Sequence, residues 1–333
     1  MVTSPKKEIA NVTANQTSPD ETAEAEAFNQ RIEERVDSGF IPDIRRAVKC
    51  DYFYKSFWRD PHFIKLYEGK TIETYLRLLQ QYGGERLRIL DVGCGAGYVS
   101  LELARAGHDV VAIDIAESCI EIARQTLATN PFIDGFGSLE YQVKSFDEVE
   151  GIYDAVLFSG ALHHFDNPEK DLERALGLLT GKGLVLCYEP CHELWRPQDA
   201  AQVALIRMLL SLTGYWYEPF INTDTYKNEE RLEEYIQEIH TEYVTERDKD
   251  EPGQSPHDNS STGQEILAAL RKHLLELEYV PGFSFIYRLL GGMRGPDNVL
   301  YEISDFLATY EKLAVDRGYL KPNGFFFLGR KPG

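Results

Sequence analysis

The sequence predicts an α/β protein built on a doubly wound, mostly parallel sheet. Short apolar runs rich in Val, Ile and Leu recur at 87–92 (LRILDV), 109–114 (DVVAID), 139–144 (LEYQVK), 153–158 (YDAVLF) and 183–189 (GLVLCYE). Such runs are typical of strands covered on both faces. Amphipathic helical patterns lie between them at 98–107, 116–130 and 168–180, closed by Gly107, Pro131 and Gly181. Strand and helix alternating this regularly means a parallel sheet with helices on its faces.

The remaining segments are placed by texture. Residues 1–27 are rich in Thr, Ser, Asn, Glu and Ala, with scarcely an aromatic, and are expected to be a disordered tail. Residues 28–84 read as an N-terminal helical extension that includes CDYFYKSFWRDPHF and TIETYLRLLQQY and ends at Gly83-Gly84. Its aromatics are expected either to form a lid, with Tyr52, Tyr54 or Trp58 touching ligand, or to pack an added helix on the sheet. Residues 85–190 hold the alternating core, and after Glu189 the alternation breaks.

A largely helical insertion follows at 191–275, with two helices over 199–240. Between Asp224 and Asp258 stand twelve acidic against four basic residues, and DKDEPGQSPHDNSSTG has the composition of a loop. A helix from about 263, a strand-like LEYVPGFSFIY, a helix VLYEISDFLATYEKLAVDRG and a last strand GFFFLGRK close the chain, with 276–333 completing the sheet.

Charge narrows the partners. With 35 basic and 54 acidic residues the chain of 333 carries a formal charge of −19, a field that repels phosphate backbones and anionic lipid. Nucleic acid is therefore not an expected partner. No run of about 18 apolar residues occurs, and the first 27 residues lack the apolar stretch of a secretion signal. A soluble, cytoplasmic protein without stable membrane insertion is expected, its oligomeric state left open. Five cysteines at irregular spacing do not make a disulfide framework. Cys187, Cys191 and His192 lack a second ligand pair at finger-like spacing, so no metal is expected.

The chemistry begins at ILDVGCGAGYVSLELA, a Gly-rich turn between strand and helix. Glycines there let a ligand approach backbone that a Cβ would shield. A dinucleotide fingerprint reads G-x-G-x-x-G, whereas Gly93, Gly95 and Gly97 follow G-x-G-x-G, with Asp91 two residues before the first glycine. A carboxylate there opposes a pyrophosphate and suits an ammonium group. Asp114, 21 residues beyond Gly93 at the end of the next strand, is positioned to accept both hydroxyls of a ribose. Dinucleotides and S-adenosylmethionine share that second need.

Over residues 87–190 the sequence resembles the class I S-adenosylmethionine-dependent methyltransferases. LDVGCGAG is similar to their glycine-rich motif, VVAIDIA to their ribose-binding strand end, and YDAVLFSGALHH to their fourth strand with the loop after it. The resemblance implies their seven-stranded sheet, with GFFFLGRKP as its last, antiparallel strand, and S-adenosylmethionine as cofactor. It also implies that Asp91 and Gly93 lie near the methionine moiety, with the backbone of Cys94 and Gly95 beside it and Gly97 closing the motif. Asp114 would hold the ribose and Ile115 would pack on the adenine. Where the family often has an acidic residue for the adenine amino group, KSFDEV offers Ser145 and Phe146, with Asp147 slightly displaced.

The sulfonium of that cofactor is already an activated leaving group, so the protein need only align the acceptor, exclude water and, where required, remove a proton. The ligand crevice of such a sheet lies at the carboxyl ends of its strands. Ser159 to His164 are thus expected to line the cofactor and face the acceptor. His164, and after it His163, are the candidate general bases for a hydroxyl. Tyr54, Trp58 and Glu189 are candidates for the acceptor pocket, and Asn167 is expected to cap the next helix. The expected activity is methyl transfer to a small-molecule acceptor, at an oxygen of a sugar, lipid-linked or secondary-metabolite compound. The rival readings are an NAD(P)-dependent oxidoreductase and a non-catalytic S-adenosylmethionine-binding protein.

Overall fold

The computed structural model describes residues 19–50, 56–218, 227–245 and 255–333. Seven strands form one sheet in the order β3-β2-β1-β4-β5-β7-β6. They are β1 Arg88–Val92, β2 Asp109–Asp114, β3 Ser138–Val143, β4 Tyr153–Ser159, β5 Leu179–Pro190, β6 Leu275–Pro281 and β7 Gly324–Arg330. All neighbouring pairs from β3 to β5 are parallel, and β7 runs antiparallel to both β5 and β6. The strand order reverses direction at β1 and β4. The carboxyl ends of these two strands therefore open the crevice in which such sheets hold ligands.

The helices that cover the sheet follow the amphipathic patterns closely. α4 (Tyr98–Arg105), α5 (Glu117–Ala128) and α6 (Pro168–Leu178) are the three crossovers within the core, and α9 (Gly263–His273) packs beside α6. Asn167 caps α6, its side chain accepting from the Lys170 amide at 3.1 Å, with Pro168 at the first helical position. One apolar cluster lies on each face of the sheet. Leu90, Val156, Val185 and Phe327 belong to one, and Ile89, Ala155, Leu186 and Phe326 to the other, which is the two-sided burial that strands without polar alternation require.

Two expectations about the ends of the chain are corrected. Helix α1 starts at Pro19 and runs to Asp37, so residues 19–27 of the expected tail are helical. Its Ala- and Glu-rich sequence has high helix propensity, and its contacts with α5 give that propensity something to pack on. The strand-like reading of 277–287 is also revised. β6 ends at Pro281, and Ile286–Leu290 form the short helix α10.

A third cluster lies apart from the sheet. It joins Phe63 of α2 (Pro61–Ile64) with Ala200 and Val203 of α7 (Pro197–Leu212), Ile239 and Tyr243 of α8 (Glu229–Thr245), α10, and Leu300, Leu307 and Ala314 of α11 (Asp297–Asp316). The helical cap is thus assembled from two insertions, one between β5 and β6 and the other between β6 and β7. The boundary drawn at 276 cuts through this layer, because α11 packs on α10 and shares one apolar cluster with α7 and α8. No helix among the described residues is long and apolar enough to cross a membrane.

Candidate active site

The Gly-rich turn is built from backbone that only glycine adopts readily. Gly93, Gly95 and Gly97 have φ of +70°, +52° and +79°. A Cβ on Gly97 would stand 2.4 Å from the Tyr141 hydroxyl, which itself donates to the Gly97 carbonyl at 2.7 Å. The amides of this turn are not free for a ligand. Those of Gly93 and Cys94 donate to the Ile113 carbonyl at 2.9 and 3.0 Å, and that of Gly95 to Asp114 Oδ2 at 2.8 Å. The Gly95 backbone nevertheless lines the cavity, where the resemblance puts the methionine moiety. A pyrophosphate would find these three amides already engaged and the Asp114 carboxylate beside them.

What the turn offers is an open floor and two carboxylates. Asp114 lies at the end of β2 with Oδ1 accepting from the Ala116 amide at 2.8 Å and Oδ2 held by Gly95. A carboxylate has about four lone-pair sites, so both oxygens, fixed in place, keep acceptor capacity for a pair of hydroxyls. Asp91 is 1% exposed; its Oδ2 takes the Ser100 hydroxyl at 2.5 Å, and its Oδ1 has no hydrogen-bond partner among the described residues. Burial pushes its carboxyl up to about 7. An orphaned acceptor of this kind is left for a cationic donor.

Asp114 and the glycine turn border a cavity of about 530 Å³, with Asp91 buried one residue behind the Val92 and Gly93 that line it, and that volume is within the range of small-ligand sites. Gly93, Gly95, Asp114, Ile115, Ser145 and Phe146 line it together with His164. Phe146 sets its ring edge-on to Phe158 and Phe165, offering an apolar wall suited to a purine. S-adenosylmethionine fits this set: hydroxyl acceptors at Asp114 and an unpaired buried acid at Asp91 behind the lining. Other expected contacts stand behind the wall. The Cys94 thiol is buried and donates to the Gly95 carbonyl at 3.6 Å, and Ser159 Oγ accepts from the Tyr75 hydroxyl at 2.9 Å.

The two histidines are held differently. His163 is buried and its Nδ1 lies 2.9 Å from Glu189 Oε2. Glu189 is fully buried, and its Oε1 accepts the amides of Ala161 and Leu162 at 3.0 and 2.9 Å. Its expected place in the acceptor pocket is therefore corrected: both its oxygens are spent on the loop after β4, and the residue shapes that loop. His164 lines the cavity, with Nδ1 3.0 Å from Glu24 Oε1 and its ring edge-on to Phe28. Burial, with His163 beside it, pulls its imidazole below the usual range, which keeps it neutral.

Trp58 is corrected too. It is buried against Phe40, Phe57 and Tyr98, with ring centroids about 5 Å apart, and does not reach the cavity. Tyr52 and Tyr54 lie outside the described residues. Three residues missed by sequence reasoning roof the cavity from α1: Glu21, Glu24 and Phe28. Glu21 accepts from Ser145 Oγ at 3.0 Å, and Asn29 and Glu33 anchor the helix on Ser118 at the start of α5. The signal was Pro19 followed by acidic residues, a helix start with Glu24 and Phe28 one turn apart on the same face.

A strand order with one antiparallel penultimate strand, an acid ending β1 and another ending β2 around a Gly-rich turn define a class I S-adenosylmethionine-dependent methyltransferase. A family described as methyltransferase domain matches residues 63–246, more than half of the chain, and the chain belongs to that family. Among curated proteins it is similar to the mitochondrial ubiquinone biosynthesis O-methyltransferase of Saccharomyces cerevisiae. The two are 34% identical over 94 residues, which cover 28% of this chain and 30% of the relative. It is likewise 33% identical over 119 residues to the ubiquinone biosynthesis O-methyltransferase of Bordetella avium, covering 33% and 46%. The chain thus spans between about a third and a half of the length of these curated relatives. A solved structure, geranyl diphosphate C-methyltransferase from Streptomyces coelicolor, shares the fold with a TM-score of 0.50 and 11% identity, covering 96% of this chain and all of that one.

Proposed function

We propose that this protein transfers the methyl group of S-adenosylmethionine to an oxygen of a small-molecule acceptor. The observation that carries the reading is one cavity lined both by Asp114 with the Gly-rich turn and by His164. The cofactor's ribose would be held by Asp114, its adenine by Ile115 and Phe146, and its ammonium by Asp91. The acceptor hydroxyl would enter beside His164 and lose its proton there. In the transfer its oxygen attacks the methyl carbon, the carbon–sulfur bond breaks, and the electron pair returns to sulfur. What this chain contributes is alignment, water exclusion under α1, and disposal of that proton.

The oxygen preference rests on the similarity to two ubiquinone biosynthesis O-methyltransferases. A phenol, a sugar or a lipid-linked hydroxyl are the acceptor classes this suggests. The test is formation of the demethylated cofactor by the purified chain with panels of phenols, sugars and prenylated hydroxyl compounds. Turnover with one panel, strongly reduced in Asp114→Ala at low cofactor concentration, is expected. Saturable nicotinamide-dinucleotide binding without any binding of the demethylated cofactor would overturn the reading.

A further inference from the structure

The loop after β4 and the segment following residue 254 meet at a cluster that the proposed methyl transfer leaves partly unexplained. His163, His164 and Asp258 each place one ligand-type atom within 4.8 Å of the other two. His163 Nε2 and Asp258 Oδ1 are 4.0 Å apart, too far for a hydrogen bond. Two nitrogen or oxygen donors on one tetrahedral ion with bonds near 2.05 Å stand roughly 3.4 Å apart.

The surroundings match those of ligating histidines. Such histidines hand their other ring nitrogen to a carboxylate, which fixes the tautomer and the ring orientation. Here the Nδ1 atoms of both are engaged in that way, His163 by Glu189 at 2.9 Å and His164 by Glu24 at 3.0 Å. This leaves Nε2 of each as the atom to ligate. The carboxylate comes from a loop fastened on both sides of Asp258. Ser255 Oγ and the His257 amide donate to Glu24 at 2.6 and 3.0 Å, the Ser261 amide to the His163 carbonyl at 3.2 Å, and Ser261 Oγ to the Phe165 carbonyl at 2.6 Å. Asn259, next to Asp258, takes φ +61°, a left-handed conformation that asparagine tolerates and that turns the loop at this point.

We propose that His163, His164 and Asp258 form a binding site for one divalent transition-metal ion beside the cavity, behind the wall to which His164 contributes. Two imidazoles and one carboxylate select zinc, cobalt, manganese or iron over magnesium and calcium, which prefer oxygen-only sets. Three protein ligands leave a position for an exogenous oxygen, as in sites that activate a bound hydroxyl. The site rests on the reading that the acceptor oxygen arrives beside His164, and it refines how the proton leaves. His163, His164 and Asp258 would hold the ion, which would supply a Lewis acid that lowers the pKa of a hydroxyl beside His164 so that its proton could pass to water.

The experiment is titration of the chelator-treated full chain with cobalt or zinc alone, following ligand-field absorption and heat. Binding of one equivalent is expected, weakened at least roughly 100-fold in Asp258→Asn and in His164→Gln. Melting temperature and affinity for the demethylated cofactor are measured on the same samples, so that a folding defect is not mistaken for a lost ligand. No stoichiometric binding by wild type, or equal affinity in folded Asp258→Asn, overturns the metal site and leaves methyl transfer standing. Loss of cofactor binding by the wild-type chain would instead overturn the methyltransferase reading.

Discussion

Glu189 and His163 are joined by a 2.9 Å contact at the floor of the site, and the same carboxylate accepts the amides of Ala161 and Leu162. One fully buried side chain thus sets the path of the loop that presents His164. Replacing it with alanine strands those donors in a dry environment, each costing on the order of 1–3 kcal/mol. Glu189→Ala is expected to lose about 3 kcal/mol of unfolding free energy, and Glu189→Gln distinctly less. Denaturant titration of the two variants checks this, and equal losses would mean the amides find other partners.

Asp114 anchors the turn and, in the proposed site, the ribose. Asp114→Ala is expected to weaken binding of the demethylated cofactor by about thirtyfold, equivalent to about 2 kcal/mol. Calorimetry measures it, and an unchanged affinity would place the ribose elsewhere.

Asp91 gives the site a pH dependence of defined sign. In the free protein burial pushes its carboxyl up to about 7, and a ligand ammonium at its orphaned oxygen would favour the ionised form. Binding then releases a proton below that value. Affinity should rise by up to about tenfold per unit as pH increases toward 7, and level off above it. A flat profile between pH 5.5 and 8 would show that the ammonium does not meet Asp91.

Gly97 combines φ +79° with a Cβ position overlapping the Tyr141 hydroxyl. Gly97→Ala must pay left-handed strain of roughly 1–2 kcal/mol and displace a buried tyrosine. The expected outcome is a fall in melting temperature together with loss of cofactor binding. Gly95→Ala, whose Cβ meets nothing in the protein, should spare more of the stability than Gly97→Ala does, while also obstructing the cavity.

In the cap, Glu242 receives Arg207 at 2.6 and 2.7 Å and Arg288 at 3.1 Å, and these guanidinium groups hold its carboxyl down to about 2 despite burial. Removing it leaves Arg207, 6% exposed, and Arg288 without their shared carboxylate. Glu242→Ala is expected to cost about 3–5 kcal/mol, read by thermal unfolding. In the wild type this contribution is present above the ordinary glutamate range and fades only as pH falls toward 2, so the cap should resist mild acid.

Local pattern was enough for the sheet and its crossovers. Strands buried on both faces announce themselves as uninterrupted apolar runs, and the glycine spacing with Asp91 and Asp114 follows from backbone geometry a few residues long. The N-terminal helix was hidden because its composition is that of a solvated chain, and only docking of Asn29 and Glu33 on Ser118 makes it part of the site. The cap was split for a similar reason: α11 and α7 are about a hundred residues apart, and nothing local says that they share one core.

The sequence by itself determined the fold class, the cofactor motif and the pair of histidines after β4. Tertiary structure decided their roles. It turned Glu189 inward beneath His163, brought Glu24 to His164 from a segment that reads as a tail, and carried Asp258 across the insertion to both imidazoles. The physical reason is that a side chain's chemistry is set by what lies within about 4 Å of it, and for these residues those neighbours are supplied by segments distant in the chain.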